Sequence, residues 1–306
     1  MPPKIVVVGS FNQDLNVYVP QLPGRGETIQ GDRFTVGTGG KGANQAIAAA
    51  RLGAEVTFVG RVGDDEFGDL AFKLLAEDGI NTDYIVRDPM LRTGVAMIFV
   101  EDSGENAIAT APGANLALTP ADVEAAAAAV AKADILLTQF ESPYNAVRQA
   151  LLLAGEYHIP SILNPAPIRS DASPPDIPML ATYLTPNETE LAALVRDPAR
   201  AKFQDKVDAV LIRDEQTLII TQGEKGASWY RKDGVGHIES FVVKAVDTVG
   251  AGDSFNGGLA VALAEGKTLE EALRFANAAG ALCVTRHGAS ASIPSRDEVE
   301  ALLATN

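Results

Sequence analysis

Apolar residues in this chain come in two patterns. Short continuous runs such as "KIVVVG" (4–9), "EVTFVG" (55–60), "ADILLTQ" (133–139), "IPSILN" (159–164), "ATYLTPNE" (181–188) and "QTLIITQG" (216–223) read as strands. Between them lie longer stretches with apolar positions three and four apart, such as "ANQAIAAARLG" (43–53), "DEFGDLAFKLLAEDG" (65–79, ended by Gly79) and "NAVRQALLLAGEY" (145–157). These read as amphipathic helices, and an Ala-rich one starts at Thr119–Pro120. Fully apolar strands alternating with helices predict an α/β fold: a Rossmann-like, mainly parallel sheet covered by helices on both faces. Two segments break the alternation. Residues 12–38 contain "DLNVYV" and "RFTV", and 94–111 ("GVAMIFVEDSGENAIATA") read as a hairpin. They predict a small separate β-sheet lid over the edge of the main sheet where ligands bind in open α/β folds.

Composition narrows the class. The 306 residues, 46% of them hydrophobic, suit a single domain spanning 1–306, with no linker or repeat to divide it. Every apolar run stops short of the roughly 18 residues of a membrane span, and "MPPKIVVVG" reads as a first core strand, not a signal peptide. Cys283 is the only cysteine, which excludes an internal disulfide and suggests a reducing, cytoplasmic setting. The three histidines have no zinc-ligand spacing. A net charge of −15 argues against nucleic acid or an anionic membrane as partner.

The chemistry concentrates in glycine-rich stretches that open helices. "DTVGAGDSFNGG" (247–258) sets Asp253 among glycines at a helix start, where unpaired N–H groups attract anions. "GTGGKGAN" (37–44) contains a formal G-x-G-x-x-G, but it follows an inserted segment instead of a core strand, so the dinucleotide reading is weak. It also fails the P-loop pattern, because Gly42 stands where Ser or Thr is required. "SFNQD" (10–14) reads as the end of the first strand, with Asn12 and Asp14 two residues apart on one face, able to hold a vicinal diol. Glu141 ends another strand at the same edge. In "TPNETE" (185–190), Asn187 and Glu190 fit a capping box. "TQGEKGA" (221–227) reads as a hairpin turn. Asn277 lies mid-helix and needs a partner, either a backbone group or a bound base.

In order and spacing, "GGKGANQA", "NPAP" (164–167), "TPNETE" and "DTVGAGDSFNGG" resemble the ribokinase family of sugar kinases across nearly the whole chain. The resemblance implies transfer of the ATP γ-phosphate to a sugar CH₂OH group: the 5-hydroxyl of D-ribose, or alternatively another pentose, a ketohexose or a nucleoside. It implies Asp253 as general base and the N–H groups of Gly250, Ala251 and Gly252 as an anion hole. The sugar would lie against Asn12, Asp14, Gly40, Lys41, Asn44, Glu141 and Asp253. ATP with Mg²⁺ would lie along Asn187, Glu190, Thr221, Gly223, Gly226, Gly252 and Asn277. A potassium ion would be held by Asp247, Val249, Cys283, Arg286, Gly288 and Ser292. The lid would pair two subunits into a homodimer. Stretch 195–216, with Pro198 and scattered charges, fits the family pattern poorly. The rivals are a nucleotide-dependent oxidoreductase, resting on the weak glycine match, and a silent sugar-binding regulator.

Overall fold

The computed structural model describes residues 1–101, 103, 105–168, 176–195, 202–211 and 213–305. The chain forms strands β1 (Lys4–Val8), β2 (Asn12–Val19), β3 (Arg33–Gly39), β4 (Glu55–Gly63), β5 (Asn81–Asp88), β6 (Gly94–Glu101) and β7 (Asn106–Ala111). The second half adds β8 (Ile135–Gln139), β9 (Ser161–Asn164), β10 (Tyr183–Leu184), β11 (Thr217–Thr221), β12 (Ala227–Arg231) and β13 (Gly234–Ile238). Nine strands make one sheet in the order β13-β12-β11-β10-β9-β8-β1-β4-β5. It is parallel from β5 to β11 and antiparallel over the β11-β12-β13 end. The expected α/β class, with its largely parallel sheet and separate small sheet, is what the chain adopts.

Alternation along β1 shows how both faces are covered. Ile5 and Val7 point into a core shared with Ile47, Leu259 and Leu273, from helices Lys41–Arg51, Ala251–Ala264 and Leu269–Cys283. Val6 and Val8 point the other way, into a core with Val123, Val147 and Leu151. All four β1 valines and isoleucines are at most 2% exposed, and full burial of such a side chain contributes about 1.5–3 kcal/mol each. Helix Glu66–Glu77 ends as read from the sequence: Gly79 takes φ 72°, which a β-carbon disfavours. The Ala-rich tract differs from a single long helix. It splits into Pro120–Glu124 and Ala127–Val130, with Val123, Ala126 and Val130 fully buried against the core.

The small sheet runs β3-β2-β6-β7, with β2–β6 parallel and the outer pairs antiparallel. Asn12 and Asp14 therefore belong to β2 of this sheet and do not end the first strand, which stops at Val8. The chain crosses between sheets at buried Phe11, whose N–H donates to Asn115 Oδ1 and whose carbonyl accepts from Asn115 Nδ2. Cross-strand register divides the small sheet into two faces. Asp14, Gly37, Ala96 and Thr110 align on one, together with Asn16, Thr35, Ile98 and Ile108. Leu15, Val36 and Met97, then Val17, Phe34 and Phe99, align on the other. The first face looks into the main cleft; the second is an apolar outer face with Phe34, Val36 and Met97 exposed. No helix among the described residues is long and apolar enough to cross a membrane.

Candidate active site

A cleft of about 500 Å³ lies between the small sheet and the carboxyl ends of the parallel strands. The helix Lys41–Arg51 and the helix Ala251–Ala264 both point their N-termini at it and pack along each other. Each starts at a glycine with positive φ, Gly40 at 86° and Gly250 at 82°, and neither has a side-chain cap. The first-turn N–H groups of Ala251–Ala264 thus face the cleft without an intrahelical partner, where a negative group is favoured. A Cβ added at Gly252 would meet nothing within 4 Å, so the backbone there is open to a ligand.

Asp253 sits in that first turn, 5% exposed. Its Oδ2 accepts from Asn44 Nδ2 at 3.0 Å and its Oδ1 from Gln45 Nε2 at 3.0 Å. Glu141 accepts from the Ser10 hydroxyl and, at 2.9 Å, from the Lys41 backbone N–H, so it also serves the open start of the Lys41–Arg51 helix. Lys41 is raised above the ordinary lysine range, chiefly by Asp253, with Glu141 and Glu190 adding to it. Asp14 is pushed up to about 7 by burial first, then by Glu141 and Asp253. Gly39 makes the space for Asp14: a Cβ there would collide with its carboxylate. Asn12 Oδ1 accepts from Asn115 Nδ2 at 2.9 Å, which turns the Asn12 amide so that it presents N–H donors elsewhere. The cleft therefore offers acceptors at Asp14, Glu141 and Asp253 and donors at Asn12, Asn44 and Lys41. A polyhydroxylated ligand needs both kinds.

Of the residues expected around the second ligand, Asn187, Glu190, Thr221 and Gly252 line the same cleft. Asn187 and Glu190 form the expected capping box: Asn187 Oδ1 accepts from Glu190 N, and Glu190 Oε2 accepts from Asn187 N, both at 2.8 Å. Burial, the largest influence, raises Glu190 above the usual carboxylate range. Gly223 and Gly226 flank a short 3₁₀ turn between antiparallel β11 and β12, the hairpin read from sequence. Asn277 takes the backbone alternative: its Nδ2 donates to the carbonyls of Ile238 and Glu239 at 3.1 and 3.2 Å.

Of the six residues expected at a cation site, Asp247 and Val249 lie in one loop, Cys283 ends the helix Leu269–Cys283, and Arg286, Gly288 and Ser292 follow it in a segment that touches the first. Asp247 Oδ1 accepts from Val249 N at 3.0 Å and its Oδ2 from Gly288 N at 2.9 Å. Cys283 Sγ lies 3.0 Å from Ser292 Oγ, which donates to Ala289 O at 2.8 Å. The Arg286 side chain is drawn away to Glu298, leaving only its backbone to face the loops.

Sequence reading missed Ser10, Gln45 and Asn115, buried polar residues bonded to Glu141, Asp253 and Asn12, and behind them Gln139, Asn164 and Thr185, which join the same network through Gln45 and Asn256. Their signal was faint: an isolated amide or hydroxyl in an apolar run. Asn164 was within the "NPAP" stretch, and Gln45 follows Asn44 directly.

Comparison with known proteins agrees with this geometry. The pfkB family carbohydrate kinase profile matches residues 2–296, and the chain belongs to that family. It is 41% identical to the ribokinase of Haemophilus influenzae, with 97% of each chain covered. It is 37% identical to the deoxyribokinase of Salmonella typhi, with 99% of each covered. Among solved structures, Arabidopsis thaliana ribokinase complexed with ribose and ATP superimposes with a TM-score of 0.87 at 35% identity, covering 99% of both chains.

Proposed function

We propose that this chain transfers the γ-phosphoryl group of ATP to the 5-hydroxyl of D-ribose. The observation that carries the reading is Asp253: a buried carboxylate, held by two amides, in the open first turn of a helix at the cleft. Residues 1–306 act as one kinase domain, with 12–38 and 94–111 as its lid; residues 102 and 104 of that span lie outside the described residues. In this reading Asn12, Asp14, Gly40, Lys41, Asn44 and Glu141 hold the sugar. The sugar O5 attacks the γ-phosphorus, its proton passes to Asp253, and the bond from γ-phosphorus to the bridging oxygen breaks to release ADP. Gly250, Ala251 and Gly252 supply backbone donors to the oxygens that gain charge. Phosphoryl transfer of this kind depends on positioning and charge neutralisation more than on base strength. Asn187, Glu190, Thr221, Gly223, Gly226 and Asn277 border the ATP. Mg²⁺ would neutralise phosphate charge, and the half-buried carboxylate of Glu190 on the cleft wall suits an outer partner reached through water. Support for ribose comes from the similarity to named ribokinases and from the paired acceptors and donors at Asp14 and Asn12. An ADP-release assay over ribose, 2-deoxyribose, other pentoses, ketohexoses and nucleosides tests it. The reading requires ribose to give the highest kcat/KM, and a higher value for any other acceptor overturns the assignment.

A potassium site is proposed at 247–249 and 283–292, supported by the Asp247 carboxylate, the Ser292 hydroxyl and the Val249 and Ala289 carbonyls, which hydrogen bonds bring close together there. Asp247 already ties both loops by accepting two N–H groups, so a cation there would stiffen the turn that leads into Gly250. Turnover should rise with potassium, respond less to sodium, and lose the response in Asp247→Ala. Equal rates in potassium and tetramethylammonium at matched ionic strength would remove potassium from the mechanism.

The outer face of the small sheet is proposed as the homodimer contact. Phe34 is 58% exposed, Val36 47% and Met97 45%, a contiguous apolar strip with Leu15 and Val17 between them. Val17→Asp should dissociate the dimer in light scattering. Ile98→Asp should instead raise the sugar KM with the dimer intact, because Ile98 lies on the cleft side. A wild-type monomer at micromolar concentration is the contrary result. A cytoplasmic setting belongs to the same reading; what supports it is the single cysteine, Cys283, which makes no internal disulfide.

A further inference from the structure

Five buried side chains around Asp253 form a chain of hydrogen bonds; Asn164, Thr185 and Asn256 border the cleft, while Gln45 and Gln139 lie behind it. The chain starts at a backbone group. Asn164 Nδ2 donates to the carbonyl of Thr185 at 3.0 Å. A carbonyl only accepts, so this contact fixes the Asn164 amide with Oδ1 turned toward Gln45. Gln45 Nε2 donates to that oxygen at 3.2 Å and, with its second hydrogen, to Asp253 Oδ1 at 3.0 Å. Gln139 Nε2 donates to Gln45 Oε1 at 2.7 Å and closes the remaining choice. A flipped Gln45 would set oxygen against the Asp253 carboxylate and against Asn164 Oδ1, and nitrogen against the Gln139 donor. Gln45 and Gln139 are 0% exposed and Asn164 6%, so water does not compete for these contacts. Gly9 leaves the room for Gln139, since a Cβ there would collide with Gln139 Oε1. A second branch leaves the same strand end: Thr185 Oγ1 donates to Asn256 Oδ1 at 2.6 Å, and Asn256 Nδ2 donates to the Gly252 carbonyl at 2.8 Å.

We infer that Gln45, oriented by Gln139 and Asn164, is the positioning residue for the Asp253 carboxylate, and that Thr185 registers this base and the Gly252 turn to one strand end. Asn44 and Gln45 are neighbours on one helix, yet their tasks differ. Asn44 faces the cleft; Gln45 faces the protein and acts on the reaction only through Asp253. With Gln45 on Oδ1 and Asn44 on Oδ2, the carboxylate plane is set, and its outward lone pair is aimed at the cleft. Losing this aim harms the step in which the proton moves and spares ground-state binding.

The inference rests on Asp253 being the base, and the test separates the two. Gln45→Leu keeps side-chain volume and removes the amide. Its kcat should fall roughly ten- to a hundredfold, with KM for sugar and for ATP within about twofold of wild type. The acid limb of its turnover profile should move to higher pH, because an amide donor favours the ionised carboxylate it touches. Gln139→Met removes only the donor that orients Gln45, and should shift the same quantities in the same direction by less. Wild-type kcat and acid limb in folded Gln45→Leu overturn the inference, as does a rise in KM with kcat unchanged. Should Gln45→Leu fail to fold, Gln139→Met decides by the same two criteria. Asp253→Asn, assayed beside them, tells which claim has failed. If that variant is active, the base assignment is wrong. If it is inactive while Gln45→Leu behaves as wild type, only the positioning role is lost.

Discussion

Asp253→Asn should fold, bind sugar, and turn over at least about a hundredfold more slowly, the lower end of what a positioned base contributes. The substitution keeps shape and removes the group proposed to take the proton. It also puts an NH₂ where one carboxylate oxygen accepts from an amide. Gln45 cannot adapt, because Gln139 and Asn164 fix its orientation. Asn44 can: its Oδ1 has no partner among the described residues, so its amide can turn over and accept from the new NH₂. The variant therefore keeps two hydrogen bonds and a compact site, and its loss falls on kcat. Calorimetric ribose titration beside a turnover assay checks this. Near-wild-type turnover would take Asp253 out of the reaction.

Asp14→Asn should weaken ribose binding roughly ten- to a hundredfold, the worth of a hydrogen bond to a charged group, and stabilise the sugar-free protein in alkali. The second effect follows from the carboxyl being pushed up to about 7 from 3.8. A group raised in the folded state binds its proton more tightly there than in the unfolded chain. The folded state then gains most below the unfolded value and loses that advantage as pH rises through about 7. Asparagine cannot ionise, so the variant escapes this loss. Its melting temperature should exceed that of wild type above neutrality, and the gap should close toward about pH 4. A variant less stable than wild type at all pH values would show that Asp14 holds the small sheet in place and does not strain it.

The sequence was most legible where one residue type serves one local purpose. The alternation in β1, Gly79 after its helix and the Asn187–Glu190 box all depend on neighbours within a few residues, so each is legible from the chain alone. The glycine-rich helix starts at 40 and 250 were legible for the same reason. What stayed hidden depends on distant pairing. Asn12 and Asp14 follow β1 so closely that they read as its end; only pairing with β3 and β6 puts them in another sheet. The two sides of β2 and β6 cannot be sorted without register, so nothing in the sequence separates Ile98, on the cleft side, from Val17, on the outer side. Gln45, Gln139 and Asn164 carry no spacing signal, because two strands and a helix must assemble before their amides meet.

The bonds from Asn44 and Gln45 to Asp253 span 209 and 208 residues of chain. β1, made first, takes a central place between β4 and β8, while the helix bearing Asp253 leaves the ribosome among the last elements. With the roles proposed above, a growing chain holds the sugar-side residues long before it holds the base, and a chain cut short before residue 253 would lack the base altogether. The same span makes the site a late and global event in folding, since closing so long a loop precedes any reward from the contacts it makes.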